Sequence, residues 1–205
     1  MRLAGTALLL ALASPTAAEV TEQWDDGFVV SHGFETAATP LEAYALTGQP
    51  ARWWSDAHSW SGDADNFSME LKPGGCFCER LSDADSMLDG GARHGTVAMA
   101  WPGRRVVIDA ALGPMLGLSS AGWLSFDYEA LDAGGTRVTV SYRVEGHGLG
   151  ALSGPVDGVI GQQARQPVGQ LCSALAIATH VAIRGPGAGQ QPAGSGQGEK
   201  TPAHV

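Results

Sequence analysis

The chain has 205 residues, enough for one domain whose core needs no help from metals or disulfides. Its 12 Lys and Arg against 21 Asp and Glu give a net charge of −9, which repels a phosphate backbone and argues against nucleic-acid binding. Three cysteines are too few for a disulfide scaffold, and neither a phosphate-binding glycine loop nor a nucleophile elbow is present, so no cofactor is expected.

Residues 1–18 read as a signal peptide. Arg2 supplies the positive start, Leu3 to Leu12 an apolar run of ten residues too short to span a bilayer, and Thr16-Ala17-Ala18 a cleavage site before Glu19. The alternative is an uncleaved anchor or a buried first helix. No later apolar run reaches membrane length. The expectation is therefore a soluble mature chain with no membrane span, periplasmic or secreted.

The mature chain opens on a strand. In Phe28 to Thr36, Phe28, Val30, His32 and Phe34 share one face. His32 is the odd member, read as a core histidine bonded to backbone in preference to a ligand-facing group. Thr39-Pro40 with Glu42 predicts a capped helix ended by Gly48, and a second short helical turn follows over Ala51 to Trp54. Ser55 to Ala64 is a polar loop in which Trp60 needs a dry place.

Alternation then predicts six more strands. They carry Phe67, Met69 and Leu71; Cys76 to Leu81; Val97, Met99 and Trp101; Val106, Ile108 and Ala110; Leu124, Phe126 and Tyr128; and Val138, Val140, Tyr142 and Val144. Pro155 begins a long helix whose apolar stripe is Ile160, Ala164, Val168, Leu171 and Leu175, bent at Pro167. Beyond Arg184 the chain is rich in Gly, Pro and Gln without apolar periodicity, the pattern of a disordered tail. The domain limits are thus a signal peptide at 1–18, a folded domain at 19–182 and a tail at 183–205.

Seven antiparallel strands must bury an apolar face, and one long amphipathic helix is the large partner for it. The predicted class is α+β: a seven-stranded antiparallel sheet curled around a long C-terminal helix, with two short helices after the first strand. This order, with the runs WW…HSWSGDADNFSMELKPGGCFCERL, ALGPM, GWLSFDYEALDAGGTRVTVSYRVEG and PVDGVIGQQ, resembles the helix-grip, START-like (SRPBCC) superfamily, and within it an exported bacterial branch. The resemblance covers about Phe28 to Leu175. Polyketide cyclase-like proteins belong to the same superfamily. The resemblance implies a grip fold with a cavity, not one activity. Pro167 and Gly169 depart from the well-formed helix usual there.

The function expected is binding of a small hydrophobic ligand in a central cavity of about 300 Å³ or more. The candidate lining is His32, Trp54, Trp60, Met69, Met99, Ile108, Leu112, Met115, Phe126, Tyr142, Ile160, Ala164 and Val168. One alternative is a cyclase- or dehydratase-type enzyme using His32, Tyr128 or Tyr142. The other is a protein-interaction module with a filled core. Asp56, His58 and Asp63 make a possible acid–base group at the mouth, though such a cluster in a polar loop is more often solvated. No catalytic residue and no metal site is assigned. Cys76 and Cys78, two apart on a strand, should have Cα atoms about 6.6 to 6.8 Å apart, the far edge of disulfide geometry. Free buried thiols are expected, with a bond to Cys172 or metal and redox chemistry as alternatives.

Overall fold

Alternation of apolar and polar residues builds this molecule as strands. The computed structural model describes residues 19–82 and 89–163 and places eight strands in one antiparallel sheet. They are β1 (Glu19–Trp24), β2 (Gly27–Thr36), β3 (Phe67–Met69), β4 (Cys76–Ser82), β5 (Asp89–Trp101), β6 (Arg105–Ala110), β7 (Ser120–Ala130) and β8 (Thr136–Gly146). The order is β1-β2-β8-β7-β6-β5-β4-β3. From β3 onward the chain meanders. The long-range step is β2 against β8, in unbroken register from Gly27↔Glu145 to Thr36↔Thr136.

The expected count was seven strands; β1 is the eighth. Its sequence EVTEQW shows no apolar face, because it is a sheet edge whose pairing to β2 supplies the order. Only Val20 packs on the core, while Arg143 stacks over Trp24 at 4.8 Å. α1 (Pro40–Thr47) forms as its sequence dictates, with Thr39 and Glu42 completing a reciprocal capping box. A 3₁₀ turn, Pro50–Arg52, follows it. The C-terminal helix, α2, comprises residues 153–163 and is entered through the 3₁₀ turn Leu149–Leu152. Ala164, Pro167, Val168, Gly169 and Cys172, the first 18 residues and the tail lie outside the described residues.

One sheet face carries the core. Phe28, Val30, Phe77, Val97, Val106, Ile108, Tyr142 and Val144 are wholly buried there, with Ile160 of α2 against them. Each such side chain contributes about 1.5–3 kcal/mol, so this face dominates stability. The outer face carries exposed ion pairs such as Arg137–Glu35 and Arg143–Glu145, worth about 0–1 kcal/mol each.

Two bulges in β5 redirect side chains against simple alternation. The register slips between Val97↔Ile108 and Met99↔Val107, leaving Ala98 as the extra residue. Met99 and Trp101, expected inside, therefore turn outward and are 46% and 59% exposed, while Ala100 packs on the core instead. Near the other end, Phe77 pairs with Gly95 and Cys78 with Arg93. The skipped residue, His94, is turned into the core. The same irregularity corrects the cysteine expectation. Cys76 and Cys78 are disulfide-bonded with Cα atoms 5.4 Å apart, closer than a fully extended strand would hold them, beside the point where the β4–β5 ladder slips.

Candidate functional site

Between α2, the loop 55–61 and the loop after β6 lies an apolar cleft of about 250 Å³. Its walls are Trp54, Trp60, Leu112, Met115, Val156, Val159 and Ile160, with His58 and Ser59 the polar members. A 3₁₀ turn, Gly113–Gly117, shapes one side and buries Met115. Tyr142 fixes the base of that turn: its hydroxyl donates to the Ala110 carbonyl at 3.1 Å and accepts from the Leu112 amide at 3.4 Å. Burial pushes the Tyr142 hydroxyl up to about 12, so it stays protonated and keeps donating. Gly122 leaves room for this contact, since a Cβ there would strike the Ala110 carbonyl and the Tyr142 hydroxyl.

The opposite wall is held by hydrogen bonds at nearly every polar group. Trp54 Nε1 donates to the His58 carbonyl at 2.9 Å, and Ser59 Oγ donates to the Asp56 carbonyl at 2.9 Å. Gln163 of α2 hydrogen-bonds His58 Nδ1 through its side-chain amide at 2.9 Å, tying the helix to the loop. The Trp60 and Ser61 amides donate to the two carboxylate oxygens of Glu79, at 3.2 and 2.6 Å. Glu79 in turn accepts from His94 Nε2 at 2.8 Å, and both side chains are essentially without exposure.

This Glu79–His94 pair is a buried acid–base couple at the root of the cleft wall. Burial pushes Glu79 up, but hydrogen bonds from Ser61, His94 and Trp60 outweigh it and hold the carboxyl below its ordinary value. His94 is lowered by burial, against the pull of Glu79. The state is a carboxylate accepting from a neutral imidazole packed beside Phe67 and Phe77, with ring centroids 4.9 and 5.6 Å away. Sequence reading missed Glu79, although a glutamate sharing the parity of Phe77 is a charge on an apolar face. His94 was hidden by the bulge.

The thirteen expected lining residues divide into groups. Trp54, Trp60, Leu112, Met115 and Ile160 meet at the cleft. Trp60 is 57% exposed at its rim, not in the dry place expected for it. The space between sheet and helices holds only about 30 Å³, room for about two waters. Trp54, Phe126 and Ile160 border it. Met69, Ile108 and Tyr142 are packed core. His32 is buried too, but it bonds the carboxylate of Asp157 on α2 at 2.9 Å in place of the expected backbone group. Met99 lies on the outer face; Ala164 and Val168 are outside the described residues. Asp56, His58 and Asp63 do not converge: Asp56 accepts from the Ala64 amide and Asp63 from the Asp65 amide, both as loop caps. Among the described residues no group of three or more His, Cys, Asp or Glu could hold a metal ion. Nor, among them, is any helix long and apolar enough to cross a membrane.

No family model and no curated protein matches the chain. Solved structures do. A structural-genomics protein of Rhodobacter sphaeroides aligns with a TM-score of 0.50 at 13% identity, over 77% of this chain and 99% of its own. One from Mesorhizobium loti gives 0.49 at 14%, over 71% and 97%. One from Nitrosomonas europaea gives 0.48 at 15%, over 73% and 96%. At such identities the likeness is one of fold alone, an α+β domain built on a large antiparallel sheet.

Proposed function

We propose that this is a helix-grip, START-like domain that binds a small hydrophobic molecule. The support for the grip is the contact of α2 with the sheet. Asp157 reaches His32 on β2, and a Cβ at Gly161 would fall 2.4 Å from the His32 ring. The helix backbone thus lies directly on the His32 ring of that strand. The observation that carries the binding reading is the cleft, apolar apart from His58 and Ser59 and open at Trp60. Its volume falls below the roughly 300–1,000 Å³ of drug-sized sites, so it suits a compact ring system or one end of an acyl chain. A carrier is favoured over an enzyme because His58 is the one titratable side chain among the cleft's described lining. Acid–base chemistry would call for a second within reach. The basic, apolar and small-residue order of residues 1–18 supports export to the periplasm or beyond.

The test fills the cleft from its exposed wall. Ala57 lines the cleft and is solvent-exposed, so Ala57→Trp inserts bulk without overpacking the core. The wild-type protein is expected to take up a fluorescent fatty-acid probe, and the variant to lose at least tenfold in affinity with its melting temperature unchanged. Equal uptake by both, or none by the wild type, sinks the reading.

A further inference from the structure

The disulfide on the outer face is unrelated to the cleft, and it is poorly placed to be a staple. Its half-cystines are separated by one residue, so it closes a very short loop and removes little freedom from the unfolded chain. β4 is already hydrogen-bonded on both sides, to β3 and β5, so the bond fixes nothing the ladder leaves loose.

Its surroundings suit reactivity. Phe77 and Glu79 point into the core, and Cys76 and Cys78 point the other way, half-buried and reachable from solvent. Cys78 stands in register with Arg93 on β5 and Ser68 on β3, and Cys76 with Thr96. Cross-strand partners share a face at about 4.5–5.5 Å between Cβ atoms. Arg80, two residues on, shares that face and is oriented by Asn66, whose Oδ1 accepts from its Nη2 at 3.0 Å. Two arginines are thus neighbours of Cys78 on the sheet, Arg93 in register with it on β5 and Arg80 two residues along β4, in a chain whose net charge is −9. Cationic neighbours favour the thiolate, and the sulfur that is the better thiolate is also the better leaving group.

We propose that Cys76 and Cys78 are a redox-active pair, a thiol–disulfide exchange site on the outer face of the sheet that reacts with small thiols. The thiolate of an external thiol attacks Cys76 Sγ. The Sγ–Sγ bond breaks, and its electron pair leaves on Cys78 Sγ, stabilised by Arg93 and Arg80 until solvent protonates it. A second external thiol attacks the mixed disulfide, releasing Cys76 as a thiol and forming the external disulfide. Two thiols are oxidised, one disulfide is reduced, and protons balance. In reverse, Cys76 as its thiolate attacks an external disulfide and expels one thiol, and the Cys78 thiolate then attacks Cys76 Sγ, re-forming the Sγ–Sγ bond and releasing the second thiol.

The experiment uses the full chain carrying Cys172→Ser, so that only this pair is counted. It is equilibrated across reduced and oxidised glutathione mixtures, quenched with a maleimide, and read by intact mass. Reversible interconversion between bonded and doubly labelled forms is expected within the range of those mixtures. Arg93→Ala should slow reduction at neutral pH about threefold for each unit by which it raises the Cys78 thiol. Cys76→Ser should accumulate glutathione on Cys78 faster than Cys78→Ser does on Cys76, with both variants first checked for native circular dichroism. A bond that stays closed in every mixture makes it a static cross-link and overturns the proposal. So does a pair that stays reduced in pure oxidised glutathione. An Arg93→Ala variant that reacts at the wild-type rate refutes the activation by arginine.

Discussion

Two buried histidine–carboxylate pairs divide the core side of the sheet between them. His32 and Asp157 meet at 2.9 Å where α2 crosses β2; His94 and Glu79 meet at 2.8 Å on β4 and β5. The lengths are alike and the roles are not. Asp157 is 18% exposed and among the described residues bonds His32 alone, a clasp between helix and sheet that water can partly replace. Glu79 has no exposure and takes three donors, two of them the amides of the loop that walls the cleft. The difference teaches that burial and donor count, more than the length of a contact, decide what a pair is worth.

The largest expected effect comes from removing the carboxylate that has no exposure. Glu79→Ala should cost about 3–5 kcal/mol, since it strands two amides and an imidazole without partners. Urea unfolding measures this. Probe affinity at the cleft should fall with it, because Trp60 and Ser61 lose their anchor. A loss under 1 kcal/mol would mean the pair contributes no more than an exposed one.

Next comes the clasp. Asp157→Asn preserves shape and a hydrogen bond to His32 and should cost about 1 kcal/mol, with probe affinity unchanged. If it proved as damaging as Glu79→Ala, the contrast between the two pairs would collapse.

The smallest effect is a slope. His94 and Glu79 are held below their ordinary values of 6.5 and 4.5, so the folded protein binds fewer protons there than the unfolded chain. Their contribution is complete above about pH 6.5. It declines as acid loads His94 of the unfolded chain, then declines further below about pH 4.5 as Glu79 of that chain protonates. Denaturation from pH 8 to 5 should show a shallower decline for His94→Gln than for the wild type. Parallel curves would show that His94 binds protons equally in both states.

Much of this was legible in the sequence because it is local. The Thr39–Glu42 capping box sits within one turn of chain, and both of its bonds form. The alternation of Val138, Val140, Tyr142 and Val144 put the right residues in the core. Five members of the cleft were legible: Trp54 from a short helical turn, Trp60, Leu112 and Met115 from loops, and Ile160 from the apolar stripe of the last helix. The cleft's position was not, because it depends on how far α2 settles onto β2, which Gly161 allows by lacking a Cβ.

What the sequence by itself determined was the class of fold: period-two alternation makes strands, and each strand with a wet and a dry face needs a partner layer. Only the tertiary structure decided which side chains break that period. A bulge adds one residue to one strand, and one residue is half a period, so everything beyond it changes face. That is why Met99 and Trp101 are outside and why His94 is inside against Glu79. The extra residue is extra only relative to a neighbouring strand, and that pairing is not written in either strand alone.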